Sequence, residues 1–390
     1  MKILEIALMP PGKKSGGEWG IYQSICSLSA IGTVDYIGPD FKRKLFSNNV
    51  RKLFILTPDN ESLKCERIWR YLLKKVSTSF YSSWAKIENS IDWKSYDFVH
   101  IEFSRYEFIV KQAQKNEKKV LVRVHNIESD YGYNIFRLTH KLGDYLRYHS
   151  FKTNEKKVMK DADGLVFLTR RDIDRAIKKY GIEKSKAFLN PVCMEEQIVD
   201  LKKNKGGEDT IHILITGSFS YEPNEKGIIW FLEHVWKELE NGKNQKKYQL
   251  TLAGGNAKDR MIDFIHIFKN IDFVNTPESM HPYFENADIY VASVFSGAGM
   301  KVKVAESLSY GLPVIGTDCA LEGYEIDSKS IMAANNKEEF ISALLKVDKI
   351  SDKRREVVRN YFKKKYSMES SIGRYQKIIN KFMEAEDGYN

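Results

Sequence analysis

Residues 295–314 read FSGAGMKVKVAESLSYGLPV. A glycine-containing turn leads into an apolar-periodic stretch at 301–310. Tyr310-Gly311-Leu312-Pro313 then ends the helix, and 314–317 reads as an interior parallel strand. Such turn–helix–strand units build doubly wound sheets, whose helices begin at the ligand-facing edge. Gly297, Ala298 and Gly299 precede the helix, so the amides from Gly297 to Met300 can point at an anion, and Lys301 and Lys303 add positive charge. Glu306 follows Lys303 by three residues and shares its face. A carboxylate repels phosphate but suits hydroxyl donors such as a ribose diol. A solvated i, i+3 ion pair explains the spacing of Lys303 and Glu306 equally well; the position at the sheet edge favours a site.

The same alternation extends outward in both directions. Short runs rich in Val, Ile and Phe at 2–8, 34–38, 53–57, 98–102, 120–125 and 165–169 are separated by helical patterns, the clearest at 142–159. Thr169 and Asp172 form a capping box. A polar, glycine-containing stretch interrupts the pattern, and a second alternation follows at 211–216, 224–239, 249–253, 271–274 and 288–292. The expected organisation is α/β: a Rossmann-like domain over 1–192, a linker over 193–209 and a second Rossmann-like domain over 210–366. Residues 367–390 are expected to form a helix crossing back to the first domain, with Tyr375, Ile378, Ile379 and Phe382 on its apolar face. Two such domains imply a central cleft between their sheets.

Composition narrows the function classes. The chain has 390 residues and a net charge of +10, but residues 1–190 carry 35 Lys and Arg against 22 Asp and Glu. The excess positive charge therefore lies in the first half, and it suits an acidic partner (a phospholipid surface, a lipid-pyrophosphate acceptor or nucleic acid) and plain solubility equally well. The apolar run at 3–9 is too short for a signal sequence and is interrupted by Glu5. Cys26, Cys65, Cys193 and Cys319 are dispersed, which argues against a disulfide framework or zinc site and suits a reducing cytoplasm. No basic–aromatic module of a nucleic-acid-binding kind is present.

Two further glycine turns could hold phosphate. Gly16 and Gly17 open a helix after the first strand, without the spacing of a dinucleotide fingerprint or a P-loop. Thr216-Gly217-Ser218-Phe219 ends the first strand of the second domain, and Pro223-Asn224-Glu225-Lys226-Gly227 starts the next helix. Lys226 in a first turn opposes the helix dipole unless an anion compensates. His125, at a strand end, serves as a structural histidine or a contact residue. His100 and Glu102 read as cleft lining without a role. The basic runs at 111–119 and 152–160 read as solvated faces.

From Gly297 through Glu306, and on through Tyr310-Gly311-Leu312-Pro313-Val314 to Glu322-Gly323, the chain resembles the donor-site signature of GT-B glycosyltransferases, in particular the retaining family 4 (group 1). Gly16-Gly17, Val124-His125-Asn126, Asn190-Pro191-Val192, Gly217-Ser218 with Lys226-Gly227, and Ala253-Gly254-Gly255 resemble the remaining family features in order. The resemblance implies a GT-B fold and transfer of a hexosyl-type sugar from a UDP-, GDP- or dTDP-linked donor to a glycan, lipid-linked or protein acceptor, with retention, in bacterial surface-glycan assembly. It also implies no metal or other cofactor, a cytoplasmic location and peripheral contact with the inner membrane. Glu306 would bind the ribose, and Lys226 and Lys303, helped by Lys301, the pyrophosphate. Gly16 and Gly17 would close over the phosphates and sugar. His125 would touch the sugar, and the Gly297–Met300 amides would hold the sugar or its distal phosphate. Two positions depart from the pattern. Ala298 replaces the first glutamate of Glu-x7-Glu, leaving the sugar open, and Ser218 replaces a common arginine. The alternatives are a sugar-nucleotide epimerase of the same fold and a non-catalytic nucleotide-sugar-binding partner subunit.

Overall fold

The fold is taken from a computed structural model, which describes residues 1–13, 15–58, 80–199, 210–241 and 247–384. The described residues of Met1–Val192 and of Met368–Asn390 form one compact unit, and Cys193–Ser367 form the other. Lys14, Cys65 and 200–209 of the expected linker lie outside the described residues.

In the first unit the strands are β1 (Lys2–Ile6), β2 (Thr33–Gly38), β3 (Val50–Ile55), β4 (Phe98–Glu102), β5 (Val120–Val124), β6 (Gly164–Phe167) and β7 (Ala187–Leu189). They pair in parallel in the order β3-β2-β1-β4-β5-β6-β7. β4, β5 and β6 are buried at every position, which explains their mostly apolar character and leaves His100, Glu102 and Arg123 as buried polar exceptions. The helix Gly16–Ser29 follows β1, capped by the Ser15 hydroxyl, which accepts the Glu18 N–H at 3.3 Å. The last helix, Met368–Glu384, sets Tyr375, Ile378, Ile379 and Phe382 into the same core.

The second unit has β8 (Thr210–Ser218), β9 (Lys247–Gly255), β10 (Ile271–Asn275), β11 (Ile289–Ala292), β12 (Val314–Gly316) and β13 (Ile331–Ala333). Its parallel order is β10-β9-β8-β11-β12-β13. The order reverses around β1 in one sheet and around β8 in the other, so each sheet has a topological switch point.

Several expectations shift. The third strand lies at Val50–Ile55, not 53–57, and the edge strands β7 and β13 are only three residues each, too short to read as alternation. The helix expected over 224–239 starts at Glu222 and passes into a π-turn at Leu232–Trp236. Met194, placed in the linker by its sequence, belongs to the second unit; its N–H donates to Tyr366 O at 3.0 Å. Cys193 is buried, but Cys26 and Cys319 are only half-buried.

Candidate nucleotide-binding site

In the second unit the two glycine turns meet at the carboxyl ends of β8 and β11. Gly217 ends β8 with φ 148°, and a Cβ there would fall 2.7 Å from Asn224 Nδ2. The missing side chain lets Asn224 reach back and donate to Ser218 O at 3.1 Å. The carbonyl oxygen of the Asn224 side chain accepts from Lys303 Nζ at 2.8 Å, and Lys303 also lies 3.5 Å from Thr216 O. One asparagine thus joins the 216–227 turn to the 297–306 turn.

The short helix here is Val302–Ser309. Lys303 and Glu306 are both half-buried. The ion pair their spacing allows does not form: among the described residues Lys303 has no carboxylate partner, and the Glu306 carboxylate accepts no hydrogen bond. Burial, with Lys301 adding repulsion, pushes the Lys303 ammonium down to about 7. Burial pushes the Glu306 carboxyl up to about 7. Two opposite charges are therefore held close to solvent but away from each other, a combination suited to a ligand carrying both anionic and hydroxyl groups.

Lys301 turns onto its own loop and donates to Gly299 O at 2.7 Å. Gly297 and Gly299 adopt φ 120° and 71°, which shapes that loop, and the buried Met300 side chain anchors it. The Ser218 hydroxyl sits 3.1 Å from Ser220 Oγ. Lys226 is not in a first turn. Because the helix begins at Glu222, Lys226 lies one turn in and pairs with Glu222 at 2.6 Å, and its side chain is 70 % exposed. That i, i+4 pair removes the dipole conflict expected from the sequence.

Two residues that position the Val302–Ser309 helix escaped the sequence reading. Tyr324 spans its start: the phenol donates to Lys301 O at 2.9 Å and accepts the Ala305 N–H at 3.1 Å. Glu322-Gly323 immediately before it was the available signal. Arg355, 1 % exposed, holds the other end through Tyr310 O at 3.0 Å, and also donates to Glu285 O at 2.9 Å and Ala287 O at 2.6 Å.

In the first unit, Gly16 and Gly17 form the first turn of their helix. A Cβ on Gly17 would come 3.0 Å from Met9 Sδ, so a larger residue there would press on the Met9 side chain. His125 is only 8 % exposed and stacks on Phe103 with centroids 4.0 Å apart. A Cβ on Gly20 would overlap the imidazole. His125 Nε2 is hydrogen-bonded to Glu102 Oε2.

His100 and Glu102 do not line a cleft; both are fully buried. His100 Nδ1 lies 2.6 Å from Glu5 Oε2 and 3.9 Å from Glu102 Oε1, and its Nε2 is 3.2 Å from the Tyr375 hydroxyl. Arg123 donates to that hydroxyl at 3.0 Å and to Gln23 Oε1 at 3.1 Å. Burial pushes the Glu5 carboxyl up, whereas His125, His100 and Arg123 outweigh burial and hold Glu102 down. Glu5, His100 and Glu102 bring three ligand-type atoms within 4.8 Å of one another. The Arg123 guanidinium already supplies positive charge to both carboxylates, so the cluster is balanced by protein groups.

Two doubly wound parallel sheets with flanking helices are the architecture of the GT-B fold. Residues 210–348, within the second unit, match the family model for glycosyl transferases group 1. The chain is 24% identical over 282 residues to an uncharacterised 44.6 kDa protein in the cps region of Klebsiella pneumoniae, covering 69% of this chain and 70% of that one. Its fold is similar to a glycosyltransferase from Rickettsia africae (TM-score 0.66, 14% identity, 98% of each chain). It is also similar to WaaG, a glycosyltransferase involved in lipopolysaccharide biosynthesis (TM-score 0.64, 16% identity, 97% and 99% covered). A third similar structure is Anabaena Alr3699/HepE, solved with UDP and glucose (TM-score 0.64, 11% identity, 97% and 99% covered).

Proposed function

We propose that the chain transfers a sugar, with retention, from a nucleoside diphosphate donor to a glycan, lipid-linked or protein acceptor in bacterial surface-glycan assembly. The observation that carries this reading is the half-buried Lys303 and Glu306, without counter-charges among the described residues, beside the end of β8. The group 1 family match, the cps-region relative and the UDP-bound Anabaena structure support it.

Lys303 takes the diphosphate, with Lys226 and Lys301 adding charge around it, so the lysines do the work a metal ion would otherwise do. Gly217, Ser218 and the Gly297–Met300 amides line its approach, and Glu306 accepts from the ribose hydroxyls. In the chemical step the bond from the anomeric carbon to the leaving phosphate breaks. The acceptor oxygen bonds to that carbon on the same face, and its proton goes to the departing phosphate oxygen. By the family resemblance, His125 is the residue expected to contact the sugar, and Gly16 and Gly17 are those expected to close over the phosphates. Ala298 leaves the sugar hydroxyls without the usual acid, so sugar choice depends on other residues.

A thermal-shift screen of UDP, GDP and dTDP with their sugars tests the reading. A true ligand at a hundred times its Kd adds about 2.7 kcal/mol of stability and a matching rise in Tm. No rise with any nucleoside diphosphate would contradict the proposal. Donor conversion without acceptor would replace it with an epimerase.

A further inference from the structure

We propose that Asn224 is the positioning residue for Lys303: its side-chain carbonyl fixes the ammonium without neutralising it, leaving the charge and a donor for the diphosphate. This rests on the reading of Lys303 as the cation that takes the diphosphate.

The Asn224 amide can face only one way. Its Nδ2 lies 3.1 Å from Ser218 O, an acceptor, and its Oδ1 lies 2.8 Å from Lys303 Nζ, a donor. Turning the amide over would set acceptor against acceptor and donor against donor. An ionised aspartate has no hydrogen for Ser218 O, and an apolar side chain serves neither partner.

The backbone that carries the amide is fixed from two sides. Asn224 lies in the first turn of the helix Glu222–Phe231. A Cβ on Gly227 would fall 1.8 Å from Ser293 O, so that helix presses onto the chain just past β11. A Cβ on Gly254 would fall 1.9 Å from Gly217 O, which sets the end of β8 against β9. These two close approaches bring Asn224 within reach of Lys303.

An ammonium has three donors. One goes to Asn224 and a second lies 3.5 Å from Thr216 O, so two neutral carbonyls orient the group and a third donor remains. The positive charge remains as well. Lys301, on the preceding loop, repels Lys303, and Glu306, on the same helix, forms no ion pair with it among the described residues. Lys226 is turned to Glu222, and the Tyr290 phenol of β11 is hydrogen-bonded to the Thr216 hydroxyl. A carboxylate in place of the amide would cancel the charge that an anionic ligand needs.

Competitive acetylation of the full chain across pH, with the Lys303 peptide read by mass spectrometry, tests this without any nucleotide. In wild type the amine should become reactive with a midpoint near pH 7. Asn224→Asp sets an anion beside the ammonium and should raise the midpoint by at least about one pH unit. Asn224→Ala removes a neutral acceptor and should lower it. Loosening of the fold cannot mimic this pair, because an exposed Lys303 would move upward in both variants. UDP, GDP and dTDP are then titrated in parallel, and the one wild type binds should bind Asn224→Asp at least roughly tenfold more weakly. An unmoved midpoint in Asn224→Asp, or one that does not fall in Asn224→Ala, would overturn the proposal; the alanine variant decides alone if the aspartate variant fails to fold. Opposite shifts in a protein that binds none of the three nucleotides would retain the Asn224–Lys303 pair and contradict the diphosphate reading instead.

Discussion

Lys303→Ala is expected to lower kcat by about 10²–10³-fold, because it removes the cation proposed to meet the developing leaving-group charge. Glu306→Ala should act on binding instead. Losing hydrogen bonds to a charged acceptor costs about 1.5–3 kcal/mol, a roughly 10- to 100-fold weaker nucleotide Kd. Lys303→Ala should thus change both kcat and nucleotide affinity, whereas Glu306→Ala should change affinity alone, and steady-state kinetics reads that difference directly. Both side chains also oppose folding in the unliganded protein. A carboxyl raised from 4.5 to about 7 costs stability that sets in above pH 4.5 and is complete above about 7. An ammonium lowered from 10.5 to about 7 costs stability below pH 10.5, complete below about 7. At pH 7, allowing for partial exposure, each penalty is on the order of 1–2 kcal/mol. Unliganded Lys303→Met and Glu306→Gln should therefore melt a few degrees above wild type while binding nucleotide less well. A lower Tm in both would contradict this account of the site.

The second large effect is expected at Glu102. Glu102→Ala leaves His125, His100 and Arg123 around a buried site that has lost a carboxylate, and breaking such a network costs about 3–5 kcal/mol. Urea unfolding measures this loss as a lower midpoint at unchanged slope. Glu102→Gln keeps the volume and one acceptor for His125, so it should recover much of the stability. If Glu102 positions His125 for its proposed contact with the sugar, kcat stays low in the refolded Gln variant with KM little changed. Full recovery of kcat would reduce Glu102 to a structural role. Because its carboxyl is held down, the stability it contributes is present above about pH 4.5 and is lost as pH falls below that.

The parallel sheets were legible because fully buried strands read as short runs rich in Val, Ile and Phe, and the Gly217 and Gly297–Gly299 turns punctuate them. The helix from Met368 to Glu384 announced itself by one apolar face. Arg355 did not, because Asp352-Lys353-Arg354-Arg355 looks like a solvated charge run; its burial depends on carbonyls from 285, 287 and 310, far away in sequence. Glu5, His100 and Glu102 were misleading for the same reason. They are polar residues set among apolar ones in β1 and β4, and only the pairing of those strands brings Glu5 beside His100. Lys226 was misplaced by a two-residue error in the helix start, which is enough to turn an unfavourable first-turn cation into an ordinary i, i+4 pair.

The central claim is that Lys303 and Glu306 receive a nucleoside diphosphate, and calorimetric titration tests it most directly. The nucleotide giving the largest thermal shift is titrated at several pH values in buffers of different ionisation enthalpy. Since Lys303 loses its proton near pH 7 in the free protein and a bound diphosphate restores it, binding above pH 7 should take up a proton, with Kd weakening by up to about tenfold per pH unit. Glu306→Ala should bind more weakly and retain this proton uptake, whereas Lys303→Ala should lose it. Tight binding with no proton uptake above pH 7, unchanged in both variants, would place the nucleotide elsewhere and contradict the account.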